Sequence, residues 1–258
     1  MRLAVSCICC CTLSLAPPAW TQTSQAHPPP LDSGLVVWFP FDGDLRDSSG
    51  NGHRAVPAVY RFVSDRFGGP NSAIRLTDTA VHIMLIPPSS DFDLSDDQAV
   101  SLGYWFRLQQ TRSHEAVSVH AGGNSALCRF LTIGIRTSGT LVSTSVHASE
   151  CRITMEHRLE GPPEAWHHVL CTVNDEFFTL FLDGREVARR AVYDMKWFVP
   201  NPQPIRVSRS GPGQERMWFE LDDLRMYRRV LPEAEILRLF EEGGRVIGAA
   251  QGAGGSQK

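Results

Sequence analysis

Positive charge is in short supply in this chain. Lys and Arg number 25 against 28 Asp and Glu, a formal net charge of −3. A nucleic-acid binder would show a basic patch or stripe, so the composition argues against that class. Long apolar runs are missing too. The one continuous stretch, residues 3–16, is broken by Ser6, Thr12 and Ser14. It falls short of the roughly 20 residues that a spanning helix needs. Placed directly after Met1-Arg2, it reads as a secretory signal, with Ser24 and Ala26 marking cleavage after Ala26. Ala4-Val5-Ser6-Cys7 faintly resembles a lipoprotein box, but almost no apolar core precedes it. No membrane span is expected elsewhere.

Cysteine becomes scarce once the signal is set aside. Of seven cysteines, those at 7, 9, 10 and 11 leave with it, and Cys128, Cys151 and Cys171 remain. Outside the cytosol paired thiols are usually oxidised, and an odd number leaves one over. What stays is a chain of about 232 residues, a length that suits one large all-β domain.

Helical periodicity is rare as well. It is convincing only over Pro232 to Glu242, where Ile236, Leu239 and Phe240 make an apolar stripe and Gly243 supplies a stop. Elsewhere short apolar runs are separated by Gly, Pro, Asp and Asn, the pattern of a sandwich or barrel. Two hairpins are legible. Phe177 to Leu182 turns through Asp183-Gly184 and returns along Arg185 to Ala188. Leu127–Ile135 turns through residues 136–139 into Thr140–His147. The second fold brings Cys128 towards Cys151, so a disulfide is expected there; three reduced thiols are the alternative. Cys171, alternating with Val169 and Val173, is expected to pack as a small hydrophobe.

Trp38-Phe39-Pro40-Phe41-Asp42-Gly43 leads into Asp47-Ser48-Ser49-Gly50-Asn51-Gly52, and Asp65-Arg66-Phe67-Gly68, Val100 to Phe106, Trp166-His167-His168-Val169 and Glu220 to Tyr227 follow in order. Across residues 35–242 these segments resemble the laminin G-like jelly-roll domains of the concanavalin A-like lectin/glucanase superfamily. The first pair is similar to that family's first strand and its loop. Two departures stand out. Met217-Trp218-Phe219 replaces a Gly ahead of the closing strand, and Pro232 replaces a helix-capping Ser. The resemblance implies two antiparallel sheets in a jelly roll, with a short C-terminal helix. It also implies glycan binding, adhesion or a passive accessory role. The resulting layout is a signal peptide (1–26), a Pro-rich lead-in (27–34), the jelly roll (35–242) and a flexible tail (243–258).

The carboxylates of the first loop raise the question of calcium, which takes six to eight oxygen ligands. Neither twelve-residue register is an EF-hand. From Asp42 the closing position is His53, and from Asp47 it is Ala58. The resemblance supplies a further donor, because the closing strand would pair near the first strand and bring in Asp222. By strict alternation Asp222 shares the inward face of Leu224 and Met226. A buried carboxylate needs a partner, and a cation, a backbone turn or an Arg would each serve. The expected structural calcium site is Asp42, Asp222 and Asn51, with Asp44 beside them. Asp47 is read instead as an Asx-type turn acceptor, and a pure hydrogen-bond network is the competing account of the loop.

Hydrolysis on this fold needs paired acids. Glu220-Leu221-Asp222 begins such a pattern, but Leu224 and Arg225 stand where the third acid belongs. His167 and His168 point to opposite faces of a strand and cannot share one metal. Trp38, Trp105 and Trp166 are read as core. Trp197, among Pro200, Pro202 and Pro204, and then Trp218 are the candidate sugar platforms. The sequence therefore predicts a secreted, extracellular or periplasmic, non-catalytic domain whose partner is an extracellular glycan or a cell-surface or matrix protein. A passive structural domain and a degenerate hydrolase are the alternatives.

Overall fold

The computed structural model describes residues 30–77, 82–92, 99–108, 116–122, 129–136, 142–148, 151–192, 204–210 and 218–242. The expected signal segment, the tail, Trp197, Cys128 and the turn 137–141 lie outside the described residues. The strands run β1 (Leu35–Phe39), β2 (Val56–Pro57), β3 (Tyr60–Val63), β4 (Ala73–Leu76) and β5 (His82–Ile86). They continue with β6 (Val100–Leu108), β7 (Ala116–Gly122), β8 (Arg129–Arg136), β9 (Val142–Ala148) and β10 (Cys151–His157). The chain then forms β11 (His167–Val173), β12 (Phe177–Leu182), β13 (Arg185–Ala191), β14 (Ile205–Ser210), β15 (Phe219–Tyr227) and helix α1 (Glu233–Glu242).

Two antiparallel sheets result. The larger runs β13-β12-β11-β6-β15-β4-β3, with β1 also on β15, and the smaller runs β10-β9-β8-β7-β14-β5-β2. Their facing sides form the main core. β6 shows how the sequence builds it. Leu102, Tyr104, Phe106 and Leu108 turn inward and are fully buried. Each such side chain contributes about 1.5–3 kcal/mol of burial. The Tyr104 hydroxyl donates to the Ile133 carbonyl of the opposite sheet (3.2 Å), so the buried oxygen is satisfied.

Both expected hairpin pairings form. Phe177–Leu182 pairs with Arg185–Ala191 around Asp183 and Gly184, both at positive φ (48° and 76°), the conformation such a turn requires. β8 pairs with β9, Ile135 opposite Val142. Cys151 opens β10 opposite Ala148 of β9, and β9 lies between β10 and β8. Its expected partner Cys128 is outside the described residues, and Cys171 packs fully buried in the main core, as expected.

The helix does not extend the main core. It covers the outer face of the larger sheet, where Leu170, Phe181, Tyr227, Leu231, Ile236 and Leu239 form a second apolar cluster. Pro232 stands just before the first turn, and its carbonyl accepts the Ile236 amide (3.1 Å). Gly103 of β6 leaves room under this cluster, since a Cβ there would come within 2.9 Å of Leu170.

One strand departs from simple alternation. β15 pairs with β6 through Asp222 opposite Trp105 and then Arg225 opposite Gly103, so it carries one extra residue. Asp223 occupies the bulge at φ 49°. The bulge reverses parity. Leu221, Leu224 and Met226 all face the core, whereas Glu220, Asp222 and Arg225 face outward. The inward Asp222 expected from period-two counting is therefore corrected.

A charged lattice and a cleft on the outer face

The outward acids of β15 organise the surface of the larger sheet. Glu220 is fully buried beneath two guanidinium groups. Its Oε1 accepts Arg75 Nε (2.5 Å) from β4, and its Oε2 accepts Arg107 Nε from β6. Arg75 lies 4.7 Å above the Trp218 ring and Arg107 lies 4.9 Å from the Trp166 ring. Further along the strand Arg66 donates to Asp222 Oδ2 (2.5 Å) and to Asp223 Oδ2 (2.9 Å). Arg66 sits 4.3 Å over Trp105. Arg225 donates to Asp223 Oδ1 (3.2 Å) and lies 4.4 Å over Trp38, whose Nε1 donates to that same oxygen (2.8 Å). All four tryptophans among the described residues thus carry an arginine. Burial of these groups away from water strengthens each contact and penalises any unpaired member.

Arg66 was not singled out from the sequence. A turn delivers it. Asp65 Oδ1 accepts the amides of Phe67 (2.8 Å) and Gly69 (2.7 Å), and Gly68 takes φ 81°. That turn aims the guanidinium at acids 156 and 157 residues away. The signal was the Asx-turn pattern Asp65-Arg66-Phe67-Gly68, with a lone cation at its second position.

The residues expected to hold calcium stand apart in role. Asp222 is engaged by Arg66, with burial and the adjacent Asp223 carboxylate pushing its pKa up. Asp42 is exposed near Ser72, Asp223 and Asp65; partial burial raises its pKa, and the Ser72 hydrogen bond opposes that rise. Asp44 Oδ1 accepts the Arg46 amide (2.9 Å). Asn51 uses its Nδ2 to donate to Val36 O (2.8 Å) and Leu35 O (3.3 Å). Among the described residues no group of three acidic, His or Cys side chains is placed to hold a metal. A cation next to Asp222 would also meet the Arg66 guanidinium, so this donor set does not fit calcium.

The loop has a different task. Asp47 Oδ1 accepts Trp38 N and Ser49 N (both 2.9 Å), while its Oδ2 accepts Ser49 Oγ (2.7 Å) and His53 N (3.3 Å). Val36 O lies 3.0 Å from the same Ser49 Oγ and shares its single proton with Asp47. β15 pairs with one edge of β1, and the loop clips the other. An open edge is thereby blunted.

The tryptophan readings change as well. Trp105 is buried, but under the helix, stacked on Phe240 at 5.4 Å rather than between the sheets. Trp38, Trp166 and Trp218 are half-buried. Arg75 covers one face of the Trp218 ring, which leaves only the opposite face for the sugar platform expected there. His168 is buried with its ring 5.2 Å from Trp105. Burial, with the Arg66 charge nearby, holds its pKa down at about 3. His167 bridges Asp183 Oδ2 (2.9 Å) and Pro162 O (3.1 Å). Burial lowers the His167 pKa, but its bond and attraction to Asp183 outweigh that and leave it raised. Glu220 and Asp222 are each committed to guanidinium groups instead of facing each other across an open cleft, as paired hydrolytic acids must.

An open cleft does lie between β1, the 47–52 loop and the last turns of α1. Its volume is about 390 Å³. Leu31, Leu35, Leu239 and Trp38 supply apolar walls, Ser48 and Ser49 supply hydroxyls, and Asp32, Arg225, Arg238 and Glu242 supply charge of both signs. The mix of apolar walls with a few polar groups is that of a small-ligand site, and the volume falls in the usual range.

Comparison with known proteins agrees with this architecture. A laminin G-type family model described as Concanavalin A-like lectin/glucanases superfamily matches residues 78–237. Adhesion G-protein coupled receptor V1 of Danio rerio is 27% identical over 246 residues, which cover 87% of this chain and 4% of that protein. The binding domain of Paraclostridial Mosquitocidal Protein 1 superposes with a TM-score of 0.68 at 18% identity, covering 83% of this chain and 53% of that one. The binding domain of Botulinum neurotoxin DC, solved in complex with rat synaptotagmin II, gives 0.67 at 10% identity over 83% and 52%. The same domain in complex with SialylT gives 0.66 at 12% identity over 82% and 52%. At these identities the structural likeness is one of fold. The chain spans about half of those solved structures and a small part of the receptor.

Proposed function

Since the chain belongs to the Concanavalin A-like lectin/glucanases superfamily, we propose that it is a secreted recognition domain. It binds a glycan or a protein at a cell surface or in the extracellular matrix and performs no chemistry on it. The observation that carries this reading is the cleft of about 390 Å³ beside Trp38 and Arg225, open and lined for binding. The partners in the two neurotoxin-domain complexes, rat synaptotagmin II and SialylT, are consistent with either kind of target. A passive spacer is the competing reading, and the arginine-covered indole faces favour it.

Cell-surface binding and a glycan array, each with calcium and with chelator, test the proposal. Ser48 is exposed and lines the cleft, so Ser48→Trp should fill it without disturbing the core. At least tenfold weaker binding of Ser48→Trp is expected. Absence of any glycan or surface target would support the spacer instead, and full binding by the filled variant would place recognition outside this cleft. Because Arg66 stands at Asp222, calcium should leave both binding and melting temperature unchanged; a native-state ligand would have to raise the latter.

A further inference from the structure

The larger sheet ends in β3, and among the described residues no strand pairs with its far edge. The ladder register shows which groups lie there. Tyr60, Arg61, Phe62 and Val63 stand opposite Leu76, Arg75, Ile74 and Ala73 of β4, and Val59 O accepts the Thr77 amide (3.3 Å). Odd-numbered residues of β3 therefore turn their backbone groups towards β4, while Tyr60 and Phe62 turn theirs towards the open side. The side chains divide as well. Ile74 and Leu76 belong to the main core, so their partners Phe62 and Tyr60 flank the mouth of the sandwich. The two rings meet edge to face at 5.7 Å, and Tyr60 stays 41% exposed. Arg61 and Arg75 share the outer face. β3 is short, but it holds no Pro and pairs with β4 without a bulge, so little guards this edge against a further strand.

Charge at that edge is unbalanced. One row of cross-strand partners crosses the outer face: Arg61 of β3, Arg75 of β4, Glu220 of β15 and Arg107 of β6. Glu220 engages Arg75 and Arg107. Three guanidinium groups thus stand in line with one carboxylate, and Arg61 is the one it does not reach. Arg61 is exposed at the end of the row, directly opposite the like charge of Arg75, an arrangement that destabilises a sheet. An acid on a further antiparallel strand would face Arg61 in a non-hydrogen-bonded pair, where Cα atoms are about 4.5 Å apart and side chains lie closest. Its two neighbours on that strand would point the other way, onto Tyr60 and Phe62. A second β3 cannot fill this role, because Tyr60–Val63 contains no acid. We propose that β3 takes up an extended segment of a partner protein as an additional antiparallel strand, its acid on Arg61 and the apolar residues either side of it on Tyr60 and Phe62. This surface shares no lining residue with the cleft beside Trp38 and does not depend on what that cleft binds.

Amide NMR of the full chain, titrated with the capped peptide Ser-Thr-Val-Glu-Val-Thr-Ser, tests the proposal. At millimolar peptide the amides of residues 59–63 should shift. Lys in place of the peptide's Glu should weaken binding at least tenfold, and methylation of its two Val amide nitrogens should abolish it. Arg61→Glu, at an exposed position, should reverse the order, so that the Lys peptide binds the better of the two. Ser48→Trp, which fills the cleft, should bind the peptide as the parent does. Equal binding of the Glu and Lys peptides, binding that survives N-methylation, or no shift at residues 59–63 overturns the proposal. Loss of the peptide in Ser48→Trp would place it in the cleft, which overturns the edge site and leaves the recognition reading standing. A domain that takes up the peptide at β3 but finds no glycan or cell-surface target supports the edge site and fails only that reading.

Discussion

Replacing Arg66 with Met tests the central claim about the outer face. Arg66 is 5% exposed at its side chain, Asp222 4% and Asp223 8%. The substitution keeps much of the apolar stem against Trp105 but removes the charge. Asp222 is then buried without a counter-ion, and Asp223 keeps Arg225 and the Trp38 indole N–H. Removing one partner of a buried pair costs about 3–5 kcal/mol, whereas an exposed pair costs about 1 kcal/mol or less. Urea unfolding at about pH 10, above the folded pKa of about 9 at which Asp222 ionises in the parent, should therefore place the variant about 3–5 kcal/mol below the parent. The pH dependence carries a definite sign. Burial and Asp223 raise the folded pKa of Asp222, and loss of Arg66 raises it further. Between the unfolded carboxyl pKa of about 3.9 and that raised value, the folded state holds a proton that the unfolded state has lost. Stability falls with the same one-proton slope in both proteins as pH rises through this window, and the variant goes on losing it above the parent's folded pKa of about 9, so the deficit should shrink at pH 8 and below. The double variant Arg66→Met/Asp222→Asn, lacking the orphan charge, should regain at least half of the loss. A deficit under about 1 kcal/mol with no pH dependence would mean that the pair behaves as a solvated surface contact.

Three further outcomes are expected. Glu220→Gln leaves Arg75 and Arg107 without their shared carboxylate. Because both retain some access to water, thermal and urea unfolding should show a loss of about 1.5–3 kcal/mol. His168, with a folded pKa of about 3 against about 6.5 unfolded, is bound to a proton only in the unfolded chain between those values. Its contribution is complete above pH 6.5 and is lost on acidification by up to about 1.4 kcal/mol per pH unit. His168→Phe, which sacrifices no Nδ1 partner, should flatten that acid limb. Gly184→Ala strains a residue at φ 76° and sets a Cβ 3.1 Å from the Phe240 ring. It should cost about 1–3 kcal/mol and weaken protection of α1 in hydrogen exchange.

The legible features were those set by local chemistry. Asp183-Gly184 announced its turn because few residues accept positive φ, and Pro232 with the Ile236–Leu239–Phe240 stripe announced the helix. The pairing of the first strand with the closing strand followed the resemblance, with Phe39 opposite Leu224. The outer face was misread for one reason. Counting by twos assumes an unbroken pleat, and Asp223 breaks it, turning Asp222 from an inward ligand into an outward ion-pair partner. The tandem Asp222-Asp223 was the available hint, since Asp tolerates the left-handed conformation better than most residues. Trp105 and His168 were hard to place because a helix on the outer face makes both faces of β6 and β11 apolar. Arg66 meets its acids only through tertiary structure, and no local pattern records a partner 156 residues away.

The antiparallel contact between β1 and β15 also has a mechanical meaning. Leu35 lies opposite Tyr227 at one end of the ladder, with Phe39 opposite Leu224 at the other. Tension entering the domain just before Leu35 and leaving just after Tyr227 would load the hydrogen bonds one at a time, as a zipper is opened, not together in shear. The Arg229 side chain bridges this mouth, donating from Nε to Ser33 O (2.6 Å) and ion-pairing with Glu235 of α1. The first structure to yield under load should therefore be the clasp of Ser33, Arg229 and Glu235, with β1 peeling from the sheet behind it.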